Sequence, residues 1–137
     1  MRGNVDIPQS ALDAISSMAR SSESCHEEIC GVVMRGEHIP MVNTERPWVR
    51  HRKFKMDPET QLAVWNEWGG DGDLIVYHSH PTGTAFASEL DRTVILQSPN
   101  LKFLIYAVVT GRFRAYQAID GKVEEIKIFK TDIDATV

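Results

Sequence analysis

The stretch HSHPTGTAFASELD, from His78 to Asp91, combines residue types that bind zinc in proteins. Its two histidines are two residues apart, and Ser88 and Asp91 follow at a spacing of three. The apolar run LIVYH, which begins at Leu74, predicts a buried strand, and side chains alternate along a strand. We therefore expect His78 and His80 on the same side of the sheet, as a pair of imidazole ligands for zinc.

The third ligand of this predicted site is Asp91. Ser88 is a typical N-cap residue, which places Asp91 in the first turn of a helix, where the helix dipole favours a carboxylate. The loop from Pro81 to Ala87 can return the chain from the strand end to this helix start. Two histidines and one carboxylate leave a fourth tetrahedral position open, which is typical of a catalytic rather than a structural zinc site.

Each of these residues taken alone has a simpler structural interpretation. A single histidine is more often a surface residue or a hydrogen-bonded core residue, and Ser-x-x-Asp is a common helix cap. The metal interpretation is favoured because strand, loop and helix start follow one another in the required order.

Hydrolysis at such a site needs a general base, and two acidic residues are candidates. Glu27 and Glu28 lie directly before the apolar segment ICGVVM, at the expected mouth of the sheet. A carboxylate there can take a proton from water and deliver it to the leaving group. From spacing alone, a hydrated turn is the simpler interpretation of both residues, and spacing does not choose between them.

Three helices and a series of short strands are predicted along the chain. One helix runs from about Pro8 to Arg20, a second begins at the N-cap Asp57, and a third follows Ser88. ICGVVM and LIVYH predict strands, and HIPMVN predicts an edge strand because Pro40 lacks a backbone donor. FLIYAVVT, FRAYQAI and VEEIKIF predict a meander whose second turn is Asp-Gly. The result is a mixed sheet packed by helices, an α/β or α+β fold, in a single domain over residues 1–137.

Some segments carry weaker patterns. The second helix is expected to face the core with Leu62, Trp65 and Trp68. The basic run from Arg46 to Lys55 has no clear period and is interpreted as a solvated loop. Residues 131–137 are expected to form a frayed tail.

Composition argues against several classes of function. The chain of 137 residues has a formal net charge of −4, so no general attraction to nucleic acid or to an anionic membrane is expected. No segment approaches the ~20 apolar residues that span a bilayer, and the first residues lack a signal core. Cys25 and Cys30, even with His26, lack the second ligand pair of a zinc site, and Cys30 is expected to be buried in a strand. We expect a cytoplasmic protein.

The stretch from His78 to Asp91 resembles the JAMM motif of the MPN-domain metallopeptidases, H-x-H-P-x6-S-x-x-D, at every fixed position. The segment EICG, Glu28 to Gly31, resembles the Glu-x-Cys-Gly segment that carries the upstream glutamate of this family. The resemblance therefore selects Glu28 over Glu27. The spacing of these segments is also similar to that of the small bacterial members, so the likeness covers most of the chain.

The resemblance implies a fold and a role for each matching residue. The fold would be the MPN domain, a cytidine-deaminase-like mixed β-sheet flanked by helices. His78, His80 and Asp91 would bind one Zn²⁺ ion per chain. Glu28 would act as the general base and then as the acid toward the leaving amine, and Ser88 would donate a hydrogen bond to the tetrahedral oxyanion.

The family also implies a class of substrate. Its members cut peptide or isopeptide bonds that follow the Gly-Gly end of ubiquitin or ubiquitin-like proteins, and the small bacterial members resemble peptidases of sulfur-carrier proteins. We therefore expect the chain to trim such a carrier, or to release cysteine from it, in cysteine, cofactor or sulfur-metabolite synthesis. The tail would add to a sheet edge, near Asn43 and Pro81–Phe86. Exposed edge strands and Trp48 are compatible with a homodimer.

Several alternatives stay open from the sequence. A deubiquitinase-like isopeptidase would use the same site on another substrate. A catalytically inactive MPN scaffold would be a binding module, but such modules lose the metal ligands that this sequence keeps. A zinc deaminase would share the layout, but the expected Pro-Cys-x-x-Cys pair is absent from the sequence. A cell-wall or phage-associated peptidase is disfavoured because we expect neither an export signal nor a second hydrolase domain.

Overall fold

A computed structural model describes residues 3–21, 26–68 and 74–131, which form a mixed β-sheet with helices on both faces. The strands are β1 (Asn4–Ile7), β2 (Cys30–Met34), β3 (Glu37–Met41), β4 (Ile75–His80), β5 (Lys102–Ala107), β6 (Arg112–Ile119) and β7 (Lys122–Lys130). The helices are α1 (Gln9–Ala19), α2 (Pro58–Trp68) and α3 (Glu89–Gln97), and a short 3-10 helix spans Pro47–Val49.

The strand order of the sheet is β1-β7-β6-β5-β4-β2-β3. The pairs β1–β7 and β4–β5 are parallel, and the other neighbouring pairs are antiparallel. The turn between β6 and β7 is the predicted Asp-Gly turn, in which Asp120 and Gly121 both have positive φ, as a type I′ turn requires. β4, which carries both histidines of the motif, therefore lies inside the sheet between β2 and β5.

The two faces of the sheet bury separate apolar clusters. On one face, Leu12 and Ile15 of α1 pack against Tyr77 and Tyr106. On the other face, Ile95 of α3 packs in a second cluster, to which the strands contribute residues at alternating positions: Cys30, Val32, Val76, Phe103 and Ile105. Because His78 follows Val76 by two residues, it lies on the α3 side of the sheet.

A close approach between β2 and β4 explains the glycine in the EICG segment. A Cβ atom on Gly31 would lie 2.6 Å from the Tyr77 ring, and it would also meet the Ile39 backbone oxygen at 2.6 Å. The buried Tyr77 hydroxyl lies 2.6 Å from His38 Nε2 on β3. A side chain at position 31 would therefore push β2 away from β4, and with it the Glu28 segment that leads into β2.

The predicted fold class is confirmed, and the predicted helices and strands occur close to their expected bounds. β3 is an edge strand, as Pro40 indicated, and Cys30 is buried in β2. Three details differ from expectation. β1 was not predicted, because NVDI has only four residues, too few for its alternation of apolar side chains to mark a strand. β4 continues through His80 rather than ending near His78.

The third difference concerns α2, where the expectation for Leu62 is wrong. Its side chain is 62% exposed, so it does not face the core. Val64 is the residue of this helix that packs against the second cluster. The expectations for the side chains of Trp65 and Trp68, for Cys25 and for residues 132–137 lie outside the described part of the chain. Among the described residues, no helix has both the length and the apolar character needed to cross a membrane.

Candidate metal centre

Two histidines of β4 and one aspartate of α3 form a compact cluster at the carboxyl end of the strand. His78 and His80 share a face because side chains alternate along β4. His78 Nε2 lies 3.0 Å from Asp91 Oδ1, and His80 Nε2 lies 2.9 Å from Asp91 Oδ2. One ligand atom from each residue lies within 4.8 Å of the other two, so the three side chains can hold one metal ion.

Asp91 is positioned by the N-terminal cap of α3. The Asp91 N–H donates to Ser88 Oγ at 3.1 Å, and the Ser88 N–H donates to Asp91 Oδ2 at 3.0 Å. This reciprocal capping box satisfies two backbone donors and fixes the carboxylate against the histidines. In the cap Ser88 Oγ acts as an acceptor, so its hydroxyl hydrogen remains available to a ligand.

The loop after β4 orients the ring of His80. Its Nδ1 lies 2.7 Å from the Thr84 carbonyl oxygen, which can only accept, so Nδ1 carries the hydrogen. The loop can fold back toward His80 because Gly83 adopts φ of 80°, a conformation that disfavours other residues. The lone pair of a neutral His80 is thereby placed on Nε2, which faces Asp91.

His78 is buried and is oriented by stacking. The ring of Phe54, from the loop before α2, lies 4.6 Å from the His78 ring at an interplanar angle of 24°. Neither His78 nitrogen forms a hydrogen bond with the described residues, since the approach of Nε2 to Asp91 Oδ1 has the distance of an ion pair but not hydrogen-bond geometry. Phe54 was not singled out in the sequence, because nothing local to it indicates a contact with position 78.

The residues present fit a bound metal ion. Tetrahedral coordination with bonds of ~2.0–2.2 Å separates ligand atoms by roughly 3.3 Å. The nitrogen–oxygen distances of 2.9 and 3.0 Å in the cluster are close to this separation. A buried imidazole nitrogen without a hydrogen-bond partner is unfavourable unless something else binds it, and a metal ion at Nε2 of His78 removes that cost.

The charges within the cluster shift the pKa of two members in opposite directions. Burial alone raises the pKa of Asp91, but the imidazoles of His78 and His80 and the Ser88 N–H outweigh burial and hold it well below its usual range. Burial alone lowers the pKa of His80, but hydrogen bonds to Asp91 and Thr84 outweigh it and raise the pKa. Both shifts favour the charged forms, so they favour an ion pair between His80 and Asp91 when no metal is bound.

Glu28 is brought to this cluster by the pairing of β2 with β4. Cys30 pairs with His78, so the antiparallel register extended by two residues sets Glu28 opposite His80. The intervening residues confirm this extension, because the Ile29 N–H donates to Ser79 Oγ at 2.9 Å and the Ser79 N–H donates to the Ile29 carbonyl at 3.0 Å. The small residue between the two motif histidines thus ties β4 to the Glu28 segment.

The Glu28 carboxyl group is buried and titrates near neutrality. Glu28 is 6% exposed, and its carboxylate forms no hydrogen bond within the described part of the chain. Its pKa is raised to about 7, chiefly by burial and to a smaller extent by the charge of Asp91, while the charges of His78 and His80 act in the opposite direction. A carboxyl group with a pKa near the working pH is suited to accept and donate a proton. Glu27, the other acidic residue considered, is half-buried.

Asn43 anchors the loop that carries Phe54 to the segment that carries Glu28. Its Nδ2 donates to the carbonyls of Glu28 and Lys53, at 2.9 Å each. Its Oδ1 accepts from the N–H groups of Glu45 and Lys55, at 3.0 and 3.1 Å. Its side-chain amide is therefore engaged by backbone groups. Asn43 lines a cavity together with Glu28, and the expectation that the segment near Asn43 lines the substrate cleft stays a prediction.

A groove of about 330 Å³ lies beside the cluster. Two of its lining residues, Glu28 and Asp91, belong to the candidate centre, and its other walls come from the loop before α2, from α3 and from β4 and β5. The segment Pro81–Phe86, expected near the substrate, does not contribute to the lining of this groove, and its contact with a substrate stays a prediction.

Comparison with known proteins identifies the family. The model of the family described as prokaryotic homologs of the JAB domain matches residues 8–119 of the chain. The chain belongs to this family. It is thus a JAB domain of the MPN/JAB superfamily, and its His78, His80 and Asp91 cluster fits the JAMM motif.

One solved structure shows the same JAB-domain fold. The solution structure of a protein from Desulfitobacterium hafniense superposes with a TM-score of 0.70 over 92% of this chain and 92% of that chain. The two sequences are 20% identical, so this likeness extends to the fold alone. No curated protein matches the chain significantly.

Proposed function

We propose that this JAB domain is a zinc-dependent peptidase that hydrolyses the bond after the diglycine C-terminus of a ubiquitin-like sulfur-carrier protein. The observation that carries the proposal is the buried cluster of His78, His80 and Asp91 with the Glu28 carboxyl group beside it. Tail trimming and release of cysteine from the carrier are both hydrolyses of this kind. Metabolite or cofactor synthesis in the cytoplasm is the setting that we propose for it.

Each residue has a chemical task in this proposal. A zinc ion held by His78, His80 and Asp91 supplies Lewis-acid polarisation of the scissile carbonyl and lowers the pKa of water. Glu28 takes a proton from the attacking water and delivers it to the leaving amine as the carbon–nitrogen bond breaks. The free hydroxyl hydrogen of Ser88 donates to the oxygen that gains negative charge, a contribution of about 10²–10³ in rate at comparable sites.

A flat, extended tail suits this site. Glu28, His78 and Asp91 are buried, so the reacting bond must approach through a narrow opening. Glycine has no side chain and can adopt the extended or positive-φ conformations that such an approach demands. Two glycines before the scissile bond therefore allow the carbonyl to reach the cluster where larger residues would collide.

The metal content of the purified protein tests the first part of the proposal. Elemental analysis is expected to find about one zinc per chain in the wild type and none in His80→Ala. His51→Ala, which removes an exposed histidine outside the cluster, is the matched control and should keep its zinc. A wild type that holds no zinc even after reconstitution contradicts the proposal and favours a binding module.

The second part is tested with a carrier protein whose diglycine end is extended by two residues. Mass spectrometry should show cleavage directly after the second glycine by the zinc-loaded wild type, and none by Glu28→Gln. Replacing both glycines of the carrier with alanine should abolish cleavage. A zinc-loaded wild type that leaves the extended carrier intact contradicts the proposed function. Cleavage of a lysine-linked ubiquitin conjugate instead would favour the isopeptidase activity.

A further inference from the structure

The groove beside Asp91 has an apolar interior. Its floor is formed by Val76 and Phe103 of neighbouring strands, and Leu101 lies before the second of these strands. Leu90 and Val94, one helical turn apart on α3, form one wall. Both side chains remain exposed although each is apolar, so this wall is available to a ligand.

Two cationic side chains line the groove. Lys53 and Lys55 line it together with Glu45, all three from the loop before α2, so this loop contributes a net positive formal charge to the lining. Neither lysine forms an ion pair with a carboxylate in the described part of the chain. The Glu45 carboxylate is partly engaged, because its Oε1 accepts from the Arg46 N–H at 3.2 Å. A ligand with an apolar body and an anionic end therefore complements both parts of the groove.

The volume of the groove limits the size of this ligand. About 330 Å³ lies near the lower end of the range of roughly 300–1,000 Å³ for ligand pockets, so only a short segment fits. Because Glu28 and Asp91 are part of its lining, a segment bound there lies next to the reacting bond. The groove therefore has the size and position of a pocket for one residue or two adjacent to the scissile bond.

We infer that the groove binds the released part of the substrate, an apolar amino-acid side chain with a free α-carboxylate. This inference rests on the proposed function, since the acyl side of the bond is then diglycine and has no side chain to fill an apolar groove. The apolar side chain lies against Val94 and Phe103, and the carboxylate lies at Lys53 and Lys55. The preferred substrates are therefore tails in which one or two residues, the last of them apolar, follow the diglycine.

Equilibrium binding of short peptides tests the inference without turnover. The zinc-loaded Glu28→Gln variant is titrated with acetyl-Gly-Gly-Leu, acetyl-Gly-Gly-Asp and acetyl-Gly-Gly-Leu-amide, and binding is followed by calorimetry. The leucine acid should bind about tenfold or more tighter than the aspartate peptide, because a leucine side chain leaves water. It should bind about threefold tighter than its amide, because Lys55 is exposed and Lys53 is only half-buried, so ion pairs with these lysines are weak.

Variants of the groove separate the two contributions. Val94→Thr keeps the shape of the side chain but should remove most of the preference for leucine over aspartate. Leu96→Thr makes a similar change on an exposed part of α3 that does not line the groove, and should leave the preference intact. Combined Lys53→Gln and Lys55→Gln should abolish only the preference for the acid over the amide, whereas Lys122→Gln, outside the groove, should keep it.

Each outcome of these titrations decides the inference. Equal dissociation constants for the three peptides, or no binding of any of them up to about 10 mM, overturns it. So does a leucine preference that Val94→Thr leaves unchanged. Selective binding combined with failure of the wild type to cut any diglycine tail would leave the groove assigned and the proposed function wrong. Cleavage of diglycine tails without this binding selectivity would support the proposed function and overturn the inference about the groove.

Discussion

Ser88 and Asp91 exchange two hydrogen bonds across the first turn of α3, and the same Asp91 oxygen that accepts from the Ser88 N–H lies 2.9 Å from His80 Nε2. The cap of the helix and the carboxylate of the candidate metal centre are therefore one structure. A change at Ser88 acts on the stability of the helix, on the orientation of Asp91 and on any hydrogen bond to the substrate. These three effects need variants that separate them.

Ser88→Ala should lower the free energy of unfolding by about 1 kcal/mol, because Ala cannot accept from the Asp91 N–H. It should also reduce kcat by roughly 10²-fold, while KM changes little, because the hydroxyl acts on the charge that develops during the reaction. Chemical denaturation of the metal-free protein measures the first effect, and steady-state kinetics with excess zinc measure the second.

Two further substitutions at this position keep the cap. Ser88→Asp accepts from the Asp91 N–H as well as serine does, but its ionised side chain has no donor, so its helix cap should be kept and its kcat should be low. Ser88→Thr keeps both the acceptor and the donor and should resemble the wild type in both measurements. If Ser88→Asp turns over at the wild-type rate, Ser88 is a capping residue only.

Glu28 should make the metal-free protein less stable as the pH rises. Its pKa is about 7 in the folded chain against 4.5 for an unperturbed glutamate, so folding favours its protonated form. The stability it contributes is complete below about pH 4.5 and is lost as the pH rises through about 7. Glu28→Gln, which is neutral at every pH, should therefore be more stable than the wild type at pH 8 by up to roughly 3 kcal/mol, less the cost of burying an amide.

Thermal denaturation of the metal-free proteins at about pH 4 and pH 8 measures this difference. The wild type and Glu28→Gln should denature at similar temperatures at the lower pH and diverge at the higher one. Glu27→Gln makes the same chemical change one residue earlier, outside the cluster, and serves as the control. With zinc bound, Glu28→Gln should lose hydrolysis by at least about 10²-fold while it keeps the metal. If the difference in denaturation temperature between Glu28→Gln and the wild type does not grow with pH, Glu28 does not bind a proton in the buried site as described.

The parts of the site that the sequence predicts are those set by local geometry. Alternation along a strand puts His78 and His80 on one face, and the capping preference of Ser88 puts Asp91 in the first helical turn. Both relationships span few residues, and both are confirmed in the structure. The choice of Glu28 as the proposed general base needed the family resemblance as well, because Glu28 reaches the cluster through the register of β2 on β4 rather than through its own neighbours.

The parts that the sequence leaves open depend on contacts between distant segments. Phe54 stacks on a residue that lies on another element, and Asn43 joins two stretches of backbone through its amide. No local pattern marks either residue. For Leu62 a local pattern exists but is misleading. Its spacing suits an inward face of α2, whereas the sheet covers a different side of that helix.

Phe54 should affect metal binding although it has no ligand atom. Stacking holds the buried ring of His78, whose Nδ1 forms no hydrogen bond with a described residue that could orient it instead. Phe54→Leu keeps an apolar side chain but removes the flat ring, so the zinc dissociation constant should rise about tenfold, as for other residues that orient metal ligands. Competition with a chromophoric chelator measures this constant.

Phe129→Leu is the matched control for this experiment. Phe129 lies on β7, is 46% exposed and does not contact the cluster. Its substitution should leave the zinc affinity unchanged. If Phe54→Leu binds zinc as tightly as the wild type, the stacked ring does not orient His78, and the backbone of β4 alone must do so.

Zinc binding should release a proton from His80. In the metal-free protein the low pKa of Asp91 keeps it ionised, and its Oδ2 together with the Thr84 carbonyl raises the pKa of His80. Zinc needs the lone pair on Nε2, so the proton that faces Asp91 must leave. Calorimetric titration in buffers of different ionisation enthalpy should show about one proton released per zinc near pH 6 and far fewer near pH 9. His51→Ala should behave like the wild type, and binding without proton release near pH 6 would show that His80 is neutral before the metal arrives.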